Sequence, residues 1–89
     1  MRKALVCIST SLDSVEEVAQ ELKACNEVKE VFLVSGVYDI LAKVEGETLD
    51  DINNVINRRI RRLSKVHSTL SLLLLEPEKH AHENDVILV

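Results

Sequence analysis

The chain has 89 residues, an apolar content of 46%, one Phe, one Tyr, no Trp and a formal net charge of −4. A domain of this length buries only about 60% of the surface of its unfolded chain, so disulfides, a metal or oligomerisation usually support it. The negative charge argues against direct binding to nucleic acid or an anionic membrane, and apolar runs such as residues 72–75 are far too short for a membrane span.

The first part of the chain predicts a strand followed by a helix. Residues 3–10 are apolar and β-branched, as in a strand. Asp13 or Ser14 is expected to cap the helix, with Glu16 or Glu17 three positions later completing a capping box. The buried stripe of this helix is predicted to be Val15, Val18, Ala19, Leu22 and Cys25.

The middle of the chain predicts a β-hairpin. Residues 28–35 and 38–45 have the composition of strands. The link between them, Gly36-Val37, is short and contains glycine, which favours an antiparallel hairpin with a tight turn. Gly46 is expected to end the second strand of this hairpin.

A second helix and a fourth strand follow. Thr48 and Asp51 have the spacing of a capping box, and residues 66–75 predict the strand. The apolar stripe of the helix is predicted to be Leu49, Ile52, Ile56, Ile60 and Leu63. The order β-α-β-β-α-β predicts an α+β fold of ferredoxin-like type, with an antiparallel four-stranded sheet and two helices on one face. We assign residues 1–76 to this domain and residues 77–89 to a C-terminal tail that includes a candidate short added strand.

The strands are apolar on both faces, which predicts a further layer. Two helices cover one face of the sheet, and a face that meets water normally alternates to polar residues. The first strand has Val6 and Ile8 on one side and Leu5 and Cys7 on the other, and the fourth has Leu70, Leu72 and Leu74 on one side and Leu73 and Leu75 on the other. We therefore expect a sheet-to-sheet homodimer, a dimeric α+β barrel, because a soluble monomer rarely exposes so large an apolar surface. The alternative is a fragment whose missing part covers this face.

The cysteine content does not indicate a disulfide, which leaves oligomerisation as the expected source of extra stability for this small domain. Cys7 and Cys25 are the only cysteines, and each lies inside a predicted regular element. This pattern indicates two buried thiols in a reducing compartment, which we take to be the cytoplasm.

Asp39 is the most distinctive acidic residue, since it lies where the hairpin turn enters an apolar strand. Its carboxylate can accept hydrogen bonds from an ammonium group of a ligand, or it can tie down its own turn. Thr69 and Ser71 lie two positions apart in a strand and therefore on one face. They either orient a small polar ligand or face solvent, and the residues alone leave both pairs of alternatives open.

The sequence lacks the patterns of catalysis and of metal or cofactor binding. His67, His80 and His82 do not have the spacing of a metal site. The basic cluster at residues 58–62 suits a helix C-terminus, and no stacking aromatic residues accompany it as nucleic acid binding would require. No nucleophile–His–acid set, phosphate loop or Cys-x-x-Cys motif is present. We expect no metal, no cofactor and no enzyme activity, with a small dimeric barrel enzyme as the remaining alternative.

Residues 34–76 resemble the effector-binding (RAM) domain of the Lrp/AsnC transcription regulators. Residues 36–39, Gly-Val-Tyr-Asp, match the family pattern Gly-x-Tyr/Phe-Asp at the start of an apolar strand, and residues 66–71 match a later hydroxyl-containing segment. Together with the first strand and helix, the resemblance covers residues 3–76.

The resemblance implies sheet-packed dimers that assemble further, often into rings of four dimers, with a small effector, commonly an amino acid, bound between dimers. Lys65 departs from a frequent Gly, and Ser71 replaces a frequent Thr. The ligand-binding residues that it implies are Gly36, Val37, Tyr38, Asp39, Thr69 and Ser71.

No helix-turn-helix segment precedes the first strand, so the resemblance is to a stand-alone RAM protein. We expect an oligomeric amino acid-sensing domain that is linked to transcription regulation and lacks its own DNA-binding domain. Its expected partners are further copies of itself, a free amino acid and full-length Lrp/AsnC regulators. The alternative is a structural adaptor that assembles with those regulators without binding a ligand.

Overall fold

The computed structural model describes residues 1–74. In chain order the elements are β1 (Arg2–Thr10), α1 (Val15–Lys23), β2 (Val28–Leu33), β3 (Ile40–Gly46), α2 (Leu49–Val55), a π-helical turn (Ile56–Ile60) and β4 (Val66–Leu74). The strands form one antiparallel sheet in the order β2-β3-β1-β4. This confirms the predicted ferredoxin-like βαββαβ fold. The tail predicted at residues 77–89 lies outside the described residues.

The core lies between the helices and one face of the sheet. Alternate residues of β1 and β3 point into it, because successive side chains of a strand face opposite sides. Its buried side chains are Ala4, Val6, Ile8, Val18, Ala19, Leu22, Cys25, Val28, Ile40, Ala42, Val44, Ile52, Val55, Ile56 and Ile60. In the described residues, neither helix has the length and apolarity that a membrane crossing requires.

The predicted stripe of α1 packs in or against the core, although Cys25 follows the end of the helix, whereas the stripe of α2 needs two corrections. Leu49 is 39% exposed, and Val55 is buried although it was not assigned to the stripe. Leu49 is the first residue of α2 and lies at the end of the helical layer. Val55 follows Ile52 by three positions, which puts both side chains on the same helix face.

The second face of the sheet carries no helix within residues 1–74. In β1, Leu5 pairs with Leu72 and Cys7 pairs with Leu70 of β4. Leu70 is 46% exposed and Leu72 is 49% exposed. Cys7 is half-buried, not buried as predicted, because nothing within residues 1–74 covers this side, whereas Cys25 is buried in the core. The open sheet face is the patch formed by Leu5, Cys7, Phe32, Leu41, Leu70, Leu72 and Leu74.

The connection between β2 and β3 is longer than the predicted tight turn. Residues 34–39 form a loop, closed by a hydrogen bond from the Val34 amide to the Asp39 carbonyl at 2.9 Å. Gly36 has a φ of +148°, a conformation that side-chain-bearing residues rarely adopt. The prediction of a tight hairpin turn was wrong, because the chain leaves the sheet at Val34 and rejoins it only after Asp39.

The second helix begins with the predicted capping box. The Asp51 amide donates to Thr48 Oγ1 at 3.1 Å, and the Thr48 amide donates to Asp51 Oδ2 at 3.3 Å. Two backbone donors that the helix itself leaves without a partner are therefore satisfied.

The capping box predicted for the first helix, from Asp13 or Ser14 to Glu16 or Glu17, is wrong. Ser14 is the N-cap residue but makes no side-chain capping bond. Its ψ of 6° lies outside the extended conformation that N-cap side chains use. Asp13, with a φ of +62°, turns the chain just before the helix, and Ser14 Oγ donates instead to the Leu12 carbonyl at 3.4 Å.

Thr48→Ala is expected to destabilise the domain by about 1 kcal/mol, because it removes the capping bond. In a domain of this size that corresponds to a melting temperature about 4–8 °C lower. Ser14→Ala is the matched control, since Ser14 occupies the same N-cap position without the capping bond. Thermal unfolding at one fixed protein concentration compares the two, and an equal or larger loss in Ser14→Ala would contradict the assignment.

Candidate functional site

One end of the sheet brings together segments that are distant in the sequence. β1 and β2 end there, and β3 and β4 begin there. The Ser11 amide donates to the Lys65 carbonyl at 2.8 Å, and the Asp39 amide donates to the Ile8 carbonyl at 2.9 Å. These two bonds attach both the loop at residues 34–39 and the segment before β4 to the end of β1.

Asp39 is held by β1. Its Oδ2 accepts hydrogen bonds from the Thr10 amide at 2.9 Å and from Thr10 Oγ1 at 3.4 Å. The side chain therefore ties the loop to a neighbouring strand, which is a different structural role from tying down its own turn. The two bonds from Thr10 converge on Oδ2 and so restrain the half-buried carboxylate at the sheet end.

The remainder of the loop is open to solvent. Val37 is 88% exposed, and Tyr38 is half-buried. A Cβ atom added to Gly36 would meet no atom within 4 Å, so conformation and not crowding favours glycine at this position. The loop thus presents an apolar tip and accessible backbone beside a restrained carboxylate.

Thr69 and Ser71 lie on the helix side of β4, where they pair with Ile8 and Val6 of β1. Thr69 is half-buried and Ser71 is exposed. Since β1 separates β4 from β3 and neighbouring strands are about 4.8 Å apart, Thr69 lies about 10 Å from the start of β3. Ser71 is about 7 Å farther along the strand. Within one chain, the fold brings Thr69 to the loop end of the sheet and leaves Ser71 near the middle of its strand.

Sequence reasoning missed three hydroxyl residues at this end. Thr10 is the partner of Asp39, and Ser9 Oγ lies 2.6 Å from Ser68 Oγ across the β1–β4 pair. The run of hydroxyls that ends β1 was visible in the sequence, but its partners depend on strand order. The result is a cluster of hydroxyl side chains at this end of the sheet.

The described chain offers a second concave region but no metal cluster. Residues 1–74 contain no group of three His, Cys, Asp or Glu side chains arranged to hold a metal, and His80 and His82 lie outside these residues. A cleft of about 430 Å³ lies at the opposite end of the sheet from the loop.

A ferredoxin-like sheet with a Gly-x-Tyr-Asp loop at its end defines a ligand-binding domain of the RAM type. The model of the Lrp/AsnC ligand binding domain family matches residues 3–83. The chain belongs to this family, whose regulatory domain is non-enzymatic.

Two curated relatives contain the domain in different settings. The HTH-type transcriptional regulator YugG of Bacillus subtilis is 32% identical over 65 residues, which are 73% of this chain and 39% of the regulator. A homocitrate synthase of Saccharolobus islandicus is 40% identical over 72 residues, which are 78% of this chain and 15% of the enzyme. The chain thus spans a minor part of each relative.

Solved structures share the fold. FFRP-DM1 is 33% identical with a TM-score of 0.82, over 84% of this chain and 100% of that one. The transcriptional regulator NMB0573 of Neisseria meningitidis, solved as an L-Met complex, is 20% identical with a TM-score of 0.78, over 89% of this chain and 53% of that one. At the latter identity the likeness concerns the fold alone.

Proposed function

We propose that this chain is an oligomeric, cytoplasmic sensing domain that binds a free amino acid and is linked to transcription regulation. The observation that carries the proposal is the Asp39 carboxylate, held by Thr10 at 2.9 Å beside an open, glycine-containing loop. A restrained carboxylate is suited to an ammonium group, because charge-assisted hydrogen bonds are stronger than neutral ones. Gly36 allows the ligand to approach the loop backbone closely.

The relatives support sensing over a role in DNA binding or catalysis. The same domain is shared with a transcriptional regulator and with a homocitrate synthase, and it forms only a minor part of each. A module that recurs beside such different activities suits the recognition of a small molecule. The L-Met complex of a protein with the same fold makes methionine one of the first ligands to test.

A second copy of the chain is proposed to complete the assembly through the open sheet face. Phe32, Leu70 and Leu72 are each between 46% and 49% exposed, and contiguous apolar surface of this kind marks an interface in a soluble protein. Thr69 and Ser71 lie on the helix side of β4, away from the open sheet face, and β1 separates them from Asp39 within one chain. We propose that they contact a ligand held by the loop of a copy in a neighbouring dimer. Gly36, Val37, Tyr38 and Asp39 would supply the loop side.

Full-length Lrp/AsnC regulators are proposed as further partners, since they carry the same domain. A ligand-free adaptor is the less favoured function, because the family model that matches the chain is that of a ligand binding domain. Mixing the labelled chain with a full-length family regulator and isolating the complex tests the partnership. Strict self-assembly in that mixture would contradict it.

Thermal unfolding in the presence of each of the twenty amino acids tests the sensing proposal. A ligand at about 100 times its Kd stabilises the folded state by about 2.7 kcal/mol, which should raise the melting temperature of a domain this small by about 10 °C or more. A selective shift for one or a few amino acids is the expected result. If none of the amino acids raises the melting temperature, the sensing proposal would be contradicted and the adaptor function would be favoured.

Asp39→Asn is expected to remove the part of this stabilisation that comes from binding at the loop, while leaving the fold and the assembly intact. The amide oxygen can still accept from the Thr10 backbone, so the substitution removes the charge and keeps the loop in place. Asp13→Asn is the control, since Asp13 is an exposed acid with a φ of +62°, which asparagine also tolerates. An undiminished ligand shift in Asp39→Asn would contradict the role of Asp39.

A further inference from the structure

We infer that the cleft at the opposite end of the sheet is a second ligand site, and that it binds a zwitterionic α-amino acid. The cleft has a volume of about 430 Å³, within the range of small-molecule sites. The beginning of β2, the end of β3, α2 and the π-helical turn form its walls. It shares no residue with the loop at 34–39, so this inference does not depend on the proposed function of that loop.

The walls combine both signs of charge. Three basic side chains, Lys29, Arg58 and Arg59, line the cleft together with the acidic side chains of Glu27, Glu45, Glu47 and Asp51. The carboxylates would repel a simple anion such as phosphate, and the guanidinium groups would repel a simple cation. A molecule that carries a carboxylate and an ammonium group matches both sets.

The π-helical turn places two consecutive arginines on one wall. Consecutive side chains on a regular helix do not share a face, yet Arg58 and Arg59 both line the cleft. The Arg61 amide donates to the Ile56 carbonyl at 2.9 Å. This bond spans five residues, as in a π-helix, and encloses both arginines. Such turns are rare and are frequent at functional sites.

Several of the charged groups already have partners, which identifies those left for a ligand. Arg59 Nη1 lies 3.4 Å from Glu27 Oε1, and Asp51 Oδ2 accepts from the Thr48 amide. Lys29 Nζ donates to the Asn26 carbonyl at 2.8 Å. The ligand carboxylate is therefore assigned mainly to Arg58, whose planar fork suits bidentate binding.

The ligand ammonium group is assigned to the carboxylate of Glu47, which follows the end of β3. Gly46, the preceding residue, lies against α2: an added Cβ would come within 3.1 Å of Asp51 Cβ and of Ile52 Cγ1. Glycine thus keeps the end of β3 close to α2, so that Glu47 and Arg58 line one cleft.

The test is a titration of the ¹⁵N-labelled full chain with each of the twenty amino acids and with inorganic phosphate, followed residue by residue by NMR. We expect at least one amino acid to give saturable shifts in the amide signals of residues 45–47 and 54–59. Arg58→Ala should raise the Kd read from these signals by about tenfold or more, the loss of one charge-assisted contact. Glu47→Gln should weaken binding in the same direction by removing the charge that faces the ammonium group.

Arg62→Ala is the matched control, because Arg62 is also exposed but does not line the cleft. Its Kd should be unchanged, and Asp39→Asn should leave the cleft signals unchanged while it acts on the loop signals. Shifts confined to residues 34–39 would overturn the second site and leave the proposed function of the loop standing. Shifts confined to the cleft would overturn the proposed function of the loop and support the second site. An equal response to phosphate alone, or one that Arg58→Ala does not alter, would also overturn it.

Discussion

Leu72→Asp is expected to convert the proposed dimer into monomers. Leu72 lies on the open sheet face in the edge strand β4, opposite Leu5, and is 49% exposed in one chain. Full burial of a leucine contributes about 1.5–3 kcal/mol, so half of that in each of two copies removes about 1.5–3 kcal/mol from the dimer. The dimer Kd should rise by at least about tenfold, and further because an unpaired carboxylate would have to be buried.

Analytical ultracentrifugation over a range of protein concentrations measures this change. Leu12→Asp is the matched control: it makes the same substitution at a leucine that is 91% exposed, in the connection between β1 and α1 and away from the open sheet face. The control should keep the dimer Kd of the unmodified chain. An unchanged Kd for Leu72→Asp would rule out the open sheet face as the interface.

Leu22→Ala is expected to have the largest effect on stability. Leu22 is fully buried in α1 within the single core of the domain. Truncation of a buried leucine to alanine costs about 2–5 kcal/mol, because transfer free energy is lost and a cavity remains. A domain this small has about 5–15 kcal/mol of total stability at most, so a large part of the folded population should be lost at elevated temperature.

Urea unfolding at one fixed protein concentration checks this expectation, since dimerisation makes apparent stability depend on concentration. Leu12→Ala is the control, because Leu12 is almost fully exposed and surface substitutions usually change stability by no more than about 0.5 kcal/mol. Similar midpoints for the two variants would mean that the α1 face does not form the core as described.

The candidate site shows where sequence reasoning succeeded and where it stopped. The motif at residues 36–39 identified the loop, and Asp39 was selected because an acid is unusual at the start of an apolar strand. Its partner Thr10 was not found, because the two residues are 29 positions apart and nothing in the local pattern joins them. The charged cleft was missed for the same reason: residues 58–62 look like an ordinary basic helix end until the fold places β2 and β3 beside them.

The sequence by itself determined the type and order of the elements, the apolar character of both sheet faces and the Thr48 cap, because these depend on side-chain periodicity and on contacts three or four positions apart. Only the tertiary structure decided that residues 34–39 form a loop, that Asp39 bonds to Thr10 and that β1 separates Thr69 from that loop. These features depend on strand order and register, which arise from contacts between distant segments competing for the same core. The π-helical turn with its two arginines belongs to the same group, since packing of the whole helix against the sheet, and not local propensity, decides such an irregularity.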